Sequence, residues 1–287
     1  MVLGHEASGV VEEVGAGVTN LKVGDRVCME PGIPRFDSRE TLAGRYNLDP
    51  AVRFWATPPI HGCLRETVVH PAAFTFKLPD SISFDEGAMV EPLAIGLHAA
   101  TIAGIRPGDR AVVCGAGTIG LMAAIAARAG GCGRVFITDI AAHKLKAAGR
   151  IPGVIPIDAS AGNPIEKVLA DTDGRGCELL FEATGSPEVT RTMTAYLAPG
   201  GRIVSIGITP EGIMPIAIVA AQAKEVEIRT IFRYAGMYPR AIELMASGSI
   251  DVRSFVTHRY PVDRAVEAFD FVKSSPPGLV KCVLDLT

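Results

Sequence analysis

The stretch "VCGAGTIGLMAAIAA", residues 113–127, carries Gly115, Gly117 and Gly120 in GxGxxG spacing. The valine-rich "RAVVCGAG" predicts a strand on one side of the turn, and "TIGLMAAIAARAG" predicts a helix on the other. The first glycine permits a tight turn, the second lets the backbone approach a pyrophosphate, and the third lets helix and strand pack closely. The helix N-terminus adds partial positive charge for the phosphates. The stretch therefore predicts a dinucleotide-binding unit.

The next predicted strand, "VFITD", ends at Asp139, nineteen residues beyond Gly120. An acidic residue there can accept hydrogen bonds from a ribose diol and repels a 2′-phosphate, which favours NAD over NADP. Lys144, one turn into the following helix, could also reach the ribose and would leave some tolerance for NADP. The glycine stretch and Asp139 could instead form an ordinary turn with a helix-capping aspartate. Lys144 could instead be a solvated helix residue without a ligand. The strand–turn–helix–strand context argues against the first of these.

Strands and helices alternate from residue 109 to about residue 230, which predicts a doubly wound parallel sheet covered by helices on both faces. The first ninety or so residues instead favour short strands joined by glycine turns, with "PGIPRFDSRETLAGRYNLDP" as a surface loop. A helix is predicted from Ser83, because Glu86 completes a capping-box spacing. Two amphipathic helices and a last strand, "LVKCVLDL", follow residue 238.

The composition narrows the class of protein. The 287 residues are 48% hydrophobic and 21% charged, with a net charge of -3 and no long basic run, which argues against nucleic-acid and anionic-membrane partners. No apolar run reaches the roughly 18 residues of a membrane span. The six cysteines occur singly, and no secretory signal is recognisable, so we expect a cytoplasmic protein.

Three residues are candidate metal ligands: His5 and Glu6 in "GHEASG", and Glu91 in "MVEPLAIGLHA". Imidazole and carboxylate groups suit Zn²⁺, and a catalytic zinc usually takes three protein ligands. His5 and Glu6 are adjacent, so they can share one metal only if the backbone turns there. Taken without Glu91, His5 and Glu6 are more simply interpreted as a surface pair that makes hydrogen bonds than as metal ligands. Glu91 is more informative, because a carboxylate in an apolar helix needs a partner.

Seven sequence blocks together resemble a known family. "GHEASGVVEEVG", "LKVGDRVCMEPG", "GRYNLDP", "ATPP", "VEPLAIGLHA", "CGAGTIGL" and "TIFRYAGMYPRAI" occur in order across essentially the whole chain. They resemble the polyol dehydrogenase branch of the zinc-dependent medium-chain dehydrogenases, and "RFWATPPIHGCL" with "HPAAF" resembles the bacterial xylitol dehydrogenases. The resemblance implies a GroES-like catalytic domain from residues 1–91 and 233–287, and an NAD-binding Rossmann domain from residues 92–232.

The resemblance also implies roles for individual residues. His5 and Glu6 match zinc ligands, and Glu91 matches the glutamate beside the zinc-bound water, so all three belong to the predicted metal and catalytic set. Arg233 and Tyr234 match residues where nicotinamide and substrate meet. The implied cofactor contacts are Gly115, Gly117, Thr118, Ile119, Gly120, Asp139, Lys144, Thr184, Ile206, Gly207, Ile208, Phe232 and Arg233.

In the family, a segment before "GHE" carries a "GICGSD"-type motif whose cysteine is the third zinc ligand. This chain begins after that motif, and none of its six cysteines stands in a matching one. We therefore expect an incomplete zinc site within these 287 residues. A start-site error, a fragment and a genuine truncation are equally compatible with the sequence.

The resemblance implies zinc- and NAD-dependent oxidation of a sugar alcohol to a ketose, with xylitol to D-xylulose as the leading case and sorbitol to fructose beside it. It implies a homotetramer or homodimer and a small-molecule polyol as substrate. Two alternatives stay open: a non-catalytic NAD-binding remnant without its zinc site, and a zinc-independent reductase of the same superfamily.

Overall fold

The structure is a computed structural model, and it describes residues 1–286. Short strands are the main elements of the first eighty residues. These strands are β1 (Ala7–Val10), β2 (Arg26–Met29), β3 (Gly32–Ile33), β4 (Arg53–Phe54) and β5 (Thr75–Lys77). The strands β1, β2 and β5 form one antiparallel sheet in the order β1-β2-β5, and β3 pairs antiparallel with β4. The segment predicted as one loop contains β3 and a short helix, α1 (Arg39–Leu42), whose N-cap is Ser38.

Two helices follow β5 at the predicted position, α2 (Phe84–Ala88) and α3 (Val90–Ala103). The predicted capping box is formed: the Ser83 hydroxyl accepts a bond from the Glu86 N–H at 3.3 Å, and Glu86 Oε2 accepts one from the Ser83 N–H at 2.9 Å. These bonds satisfy backbone donors that a helix start otherwise leaves without partners. The capping box therefore sets where α2 begins.

The alternating region forms the predicted parallel sheet, which has six strands. Its elements are β6 (Arg110–Cys114), α4 (Thr118–Ala129), β7 (Arg134–Asp139), α5 (Ala142–Ala148), β8 (Val154–Asp158), α6 (Pro164–Ala170), β9 (Cys177–Glu182), α7 (Pro187–Thr192), β10 (Leu197–Ser205), α8 (Ile218–Gln222) and β11 (Glu227–Thr230). The strand order is β11-β10-β9-β6-β7-β8, with every neighbouring pair parallel. The order reverses between β6 and β9, and open sheets of this kind bind ligands beyond the carboxyl ends of the strands at that point.

The last part of the chain contains α9 (Tyr238–Ala246), β12 (Val256–Pro261), α10 (Ala265–Lys273) and β13 (Lys281–Asp285). The helices α9 and α10 are the two amphipathic helices predicted from the sequence, and β13 pairs in parallel with β12. None of the helices within residues 1–286 is long and apolar enough to cross a membrane.

The chain divides into two compact units. One contains residues 1–94, residues 233–276 and the chain from residue 281 onward; the other contains residues 95–232 and 277–280. The first unit contains the sheet β1-β2-β5, and the second is built on the six-stranded sheet. The first unit contains the candidate metal ligands, and the second contains the glycine turn and Asp139.

Candidate metal centre and cofactor site

The structure brings His5, Glu6 and Glu91 together, with one potential ligand atom of each within 4.8 Å of the others. His5 and Glu6 lie just before β1, where Gly4 adopts a left-handed φ of +84°. Backbone hydrogen bonds hold this segment against residues 62–64, including one of 2.8 Å from the Cys63 N–H to the Gly4 carbonyl. The backbone turn that two adjacent ligands need is therefore present, and the segment is anchored.

Glu91 lies in the first turn of α3 and is only 3% exposed. Burial, together with the negative charge of Glu6, raises the pKa of its carboxyl to about 8. The hydroxyl of Tyr234 donates a 2.8 Å hydrogen bond to Glu91 Oε1. This tyrosine is the partner that a carboxylate in an apolar helix was expected to need.

The three side chains fit a zinc ion in their chemistry. Burial lowers the pKa of His5, which keeps its imidazole in the neutral form that binds metals. One potential ligand atom from each of the three side chains lies within 4.8 Å of the others, so the three groups could reach one ion. A buried carboxyl beside a second carboxylate is also an environment that a cation stabilises. His5, Glu6 and Glu91 would hold the ion.

Lys281, in β13, contacts Glu6 Oε2 through its ammonium group. The ammonium supplies the positive charge beside Glu6, and it would have to give way for Glu6 to bind a metal. Sequence reasoning missed this lysine, because 275 positions separate the two residues and no local pattern links them.

Arg233, a predicted cofactor and substrate residue, has its guanidinium carbon 4.0 Å from the centre of the Phe54 ring. The same ring lies 5.6 Å from the His5 imidazole, centre to centre. Arg233 adopts φ +54°, a conformation that non-glycine residues rarely take and that is often found at functional sites. Phe54 thus joins the candidate site although no sequence motif marks it. Trp55, its neighbour, is buried against Met29 and Cys63.

A second buried carboxyl, Glu30, lies in the same unit and is 1% exposed. The Tyr46 hydroxyl donates a 2.6 Å hydrogen bond to Glu30 Oε1, and the Gly236 N–H donates a 2.6 Å bond to that same hydroxyl. Burial raises the pKa of Glu30 to about 7. Glu30 and Tyr46 therefore tie down the segment that carries Tyr234, and sequence reasoning predicted neither of them.

The glycine turn has the geometry that the motif predicts. Gly115 follows β6 with φ +97°, and Gly117 is the N-cap of α4. A Cβ at Gly120 would collide with the carbonyl oxygen of Gly115, so only glycine fits there. Ile119 lies in the first turn of α4 beside Thr118, whose hydroxyl donates a 2.9 Å bond to the Val280 carbonyl. This backbone cradle at a helix N-terminus fits a pyrophosphate.

Asp139 is the last residue of β7 and makes two hydrogen bonds through its carboxylate. Oδ2 accepts one from the Ala116 N–H and Oδ1 one from the Ala141 N–H, both at 2.8 Å. Asp139 therefore also fixes the glycine turn, in addition to the ribose contact predicted for it. Lys144 lies in α5, close to Asp139 along the chain.

The remaining predicted cofactor residues follow strands of the same sheet. Thr184 follows β9, and Ile206, Gly207 and Ile208 follow β10. Phe232 follows β11 and is half exposed. These residues lie beyond carboxyl ends of parallel strands, on the far side of the strand-order reversal from Asp139. Their contacts with a cofactor stay predictions.

Known proteins resemble the chain over its whole length. Residues 1–80 match the alcohol dehydrogenase GroES-like domain family, and residues 118–247 match the zinc-binding dehydrogenase family. The D-xylulose reductase of Morganella morganii is 54% identical over 271 residues, which are 94% of this chain and 80% of that protein. The sorbitol dehydrogenase of Gallus gallus is 43% identical over 275 residues, which are 95% of this chain and 77% of that protein.

Among solved structures, an oxidoreductase of unknown specificity from Escherichia coli superposes with a TM-score of 0.96 at 36% identity, covering 99% of this chain and 82% of that one. The chain belongs to the polyol dehydrogenase branch of the zinc-dependent medium-chain dehydrogenases.

Proposed function

We propose that this protein oxidises a secondary alcohol of a sugar alcohol to a ketose, with xylitol to D-xylulose as the leading reaction and sorbitol to fructose as the second. The observation that carries the proposal is the cluster of His5, Glu6 and Glu91 within 4.8 Å. It occurs in a chain whose relatives include a D-xylulose reductase and sorbitol dehydrogenases.

The side chains of the cluster have complementary roles. When bound, Zn²⁺ supplies Lewis-acid polarisation of the substrate oxygen, and the nicotinamide cofactor supplies a hydride acceptor. Glu91 is the proposed proton acceptor, because it is a buried carboxyl beside the other two potential metal ligands, His5 and Glu6. The Tyr234 hydroxyl holds that carboxyl in position. Arg233, over the Phe54 ring, offers the hydrogen-bond donors that a polyhydroxylated neutral substrate needs.

NAD is the proposed cofactor over NADP. Asp139 places a carboxylate at the end of β7, where it disfavours a 2′-phosphate. Lys144, in α5, is a cation that could pair with a 2′-phosphate, so some use of NADP is compatible with the proposal. The cofactor would lie across the carboxyl ends of the parallel strands.

The alternative, a non-catalytic NAD-binding remnant, has less support. A remnant would have no reason to keep a buried carboxyl bonded to Tyr234 beside a histidine and a second carboxylate, because burying such groups costs stability. A zinc-independent reductase is disfavoured for the same reason.

Zinc content and turnover test the proposal together. The protein is dialysed exhaustively, its zinc is measured by atomic emission, and NAD⁺ reduction is followed with xylitol, sorbitol and ethanol. Because His5, Glu6 and Glu91 offer three ligands even without the cysteine that the family resemblance implies, we expect about one zinc per chain and turnover with polyols above that with ethanol. His5→Ala should lose zinc and turnover, whereas His143→Ala, on α5, should keep both. Zinc-free protein that binds NADH but turns over no polyol would support the remnant.

For the assembly, we propose a homodimer or homotetramer. The strand β11 is the outermost of the six-stranded sheet and its four residues are exposed. Ile208, Ile213 and Val219 are exposed apolar residues of the same unit. An exposed edge strand with apolar neighbours is suited to pairing with another chain, which light scattering would detect. A cytoplasmic location is proposed on the six free cysteines.

A further inference from the structure

Glu182, the last residue of β9, is fully buried, and both its carboxylate and its backbone carbonyl accept hydrogen bonds. Its Oε1 accepts bonds from the Thr184 N–H at 2.7 Å, from the Thr184 hydroxyl and from the Gly185 N–H at 2.9 Å. Its backbone carbonyl accepts bonds from the N–H groups of Ile206 and Gly207 at 2.8 and 2.9 Å. One residue therefore holds both the segment that follows β9 and the segment that follows β10.

The two segments approach each other so closely that only glycine fits between them. A Cβ at Gly207 would lie 2.6 Å from Glu182 Oε2 and would collide with the Gly185 N–H. Gly185 has φ +64°, and a Cβ there would collide with the Ile208 carbonyl. Glu182, Gly185 and Gly207 thus form one interlocked unit, which we call the Glu182 clamp.

The clamp has a cost that packing alone does not explain. Glu182 Oε2 is buried and has no hydrogen-bond partner within residues 1–286. A buried polar atom without a partner destabilises a fold, and an apolar side chain would avoid that cost. Such an atom in a native protein calls for a functional explanation.

The position of the clamp supplies that explanation. The glycine turn after β6 and Asp139 after β7 lie on one side of the strand-order reversal, and the clamp after β9 and β10 lies on the other. In doubly wound sheets a dinucleotide spans this point with one nucleotide on each side. Because the aspartate predicted to bind the adenosine ribose lies on the β7 side, the nicotinamide half of the cofactor would lie at the segments that Glu182 holds.

We propose that Glu182 is a positioning residue for the nicotinamide half of the cofactor. It fixes residues 184–185 and 206–207 in the arrangement that receives the ring, without touching the cofactor itself. The inference rests on the proposed nicotinamide-dependent function and adds a residue that determines how the reactive end of the cofactor is held.

The test compares two ligands that share all but one group. NADH and ADP-ribose both fill the adenosine and pyrophosphate subsites, but ADP-ribose has no nicotinamide ring. Glu182→Gln keeps the size of the side chain but replaces the carboxylate, which accepts three bonds, with an amide. We expect the Kd for NADH to rise about tenfold or more, because the three hydrogen bonds lose their charged acceptor and the buried amide NH2 group has no acceptor of its own. The Kd for ADP-ribose should stay unchanged.

Glu178→Gln is the matched control, since Glu178 lies on the same strand and pairs with Arg110 at 2.7 Å near its other end. It should lower Tm without changing the ratio of the two Kd values. If Glu182→Gln does not fold, Glu182→Asp keeps the charge but shortens the side chain, so that the three bonds to Oε1 cannot all form, and it should raise that ratio.

An unchanged ratio in Glu182→Gln and in Glu182→Asp would overturn the inference, as would equal weakening of both ligands. Failure of the unaltered protein to bind NADH at all would instead overturn the proposed function, and the inference with it.

Discussion

Tyr234 and Glu91 are joined by a 2.8 Å hydrogen bond although 143 positions separate them in the chain. Their side chains are 2% and 3% exposed. The bond opposes the effect of burial on Glu91, because a donated hydrogen bond favours the ionised carboxyl and lowers its pKa. The orientation of the Glu91 carboxyl therefore depends on a residue at the far end of the sequence.

Tyr234→Phe should lower kcat/KM for the polyol by about tenfold to a hundredfold, because the buried Glu91 carboxyl loses its donor and its fixed orientation. Binding of NADH should change much less than kcat/KM, because the glycine turn and Asp139 belong to the other compact unit. Steady-state kinetics with xylitol and fluorescence titration with NADH measure the two effects.

Tyr238→Phe is the control for that variant. Tyr238 is also buried, its ring centre lies 5.8 Å from that of Tyr234, and its hydroxyl bonds to the Met29 carbonyl at 3.0 Å. Its loss should cost stability of about 1 kcal/mol and leave kcat/KM intact. Equal kinetic losses in both variants would mean that Tyr234 matters only for packing.

Glu91→Ala removes the proposed proton acceptor and one member of the metal cluster. Turnover should fall by at least about a hundredfold, the usual contribution of a positioned acid–base group. NADH binding should survive, because the glycine turn and Asp139 belong to the other compact unit. Stopped-flow or steady-state turnover and NADH titration decide this.

A nearby carboxylate serves as the comparison for Glu91. Glu86, in α2, bonds to Ser83 and pairs with Arg253 at 2.7 Å. Glu86→Gln should retain turnover even if it lowers Tm. Full activity in Glu91→Ala would refute the role assigned to Glu91.

Asp139→Asn should change cofactor preference. Asn has one carbonyl oxygen where Asp139 uses two to accept bonds from Ala116 and Ala141, and it lacks the charge that repels a 2′-phosphate. We expect weaker NAD⁺ binding and a higher ratio of kcat/KM for NADP⁺ over NAD⁺, measured with the same polyol.

Asp158→Asn is the counterpart on the neighbouring strand. Asp158 ends β8 directly opposite Asp139 in the register and accepts bonds from Ser160. Its substitution should leave the cofactor ratio where it was. A ratio that moves with Asp158 as much as with Asp139 would show that Asp139 has no special contact with the ribose.

Local signals explain which parts of the structure were predictable. The GxGxxG turn, Asp139 and the Ser83–Glu86 capping box each depend on residues within one short segment, so spacing alone located them. The strand β11 was harder to predict. Its residues "EIRT" are all exposed and show no alternation of buried and exposed positions, and the strand forms by pairing with β10. Backbone pairing of this kind leaves no mark in hydrophobic periodicity.

The candidate site was predictable only in part, for the same reason. His5, Glu6 and Glu91 stood in recognisable motifs, but Lys281 and Phe54 are brought in by the tertiary fold. A lysine in a terminal strand and a phenylalanine in a two-residue strand look like ordinary surface and core residues. Their roles emerge only when segments distant in the chain meet.

Glu30→Gln should stabilise the protein relative to the unaltered protein, and this gain in the free energy of unfolding should be larger at pH 8 than at pH 5. Burial raises the pKa of Glu30 to about 7 from the ordinary value of 4.5, so its contribution to stability is full below pH 4.5 and is lost as the pH rises to about 7. The amide mimics the protonated carboxyl and can still accept the bond from Tyr46, so it escapes this loss of roughly 3 kcal/mol. Denaturant unfolding of both proteins at the two pH values measures the difference. An equal difference at pH 5 and pH 8 would mean that Glu30 does not change its protonation on folding.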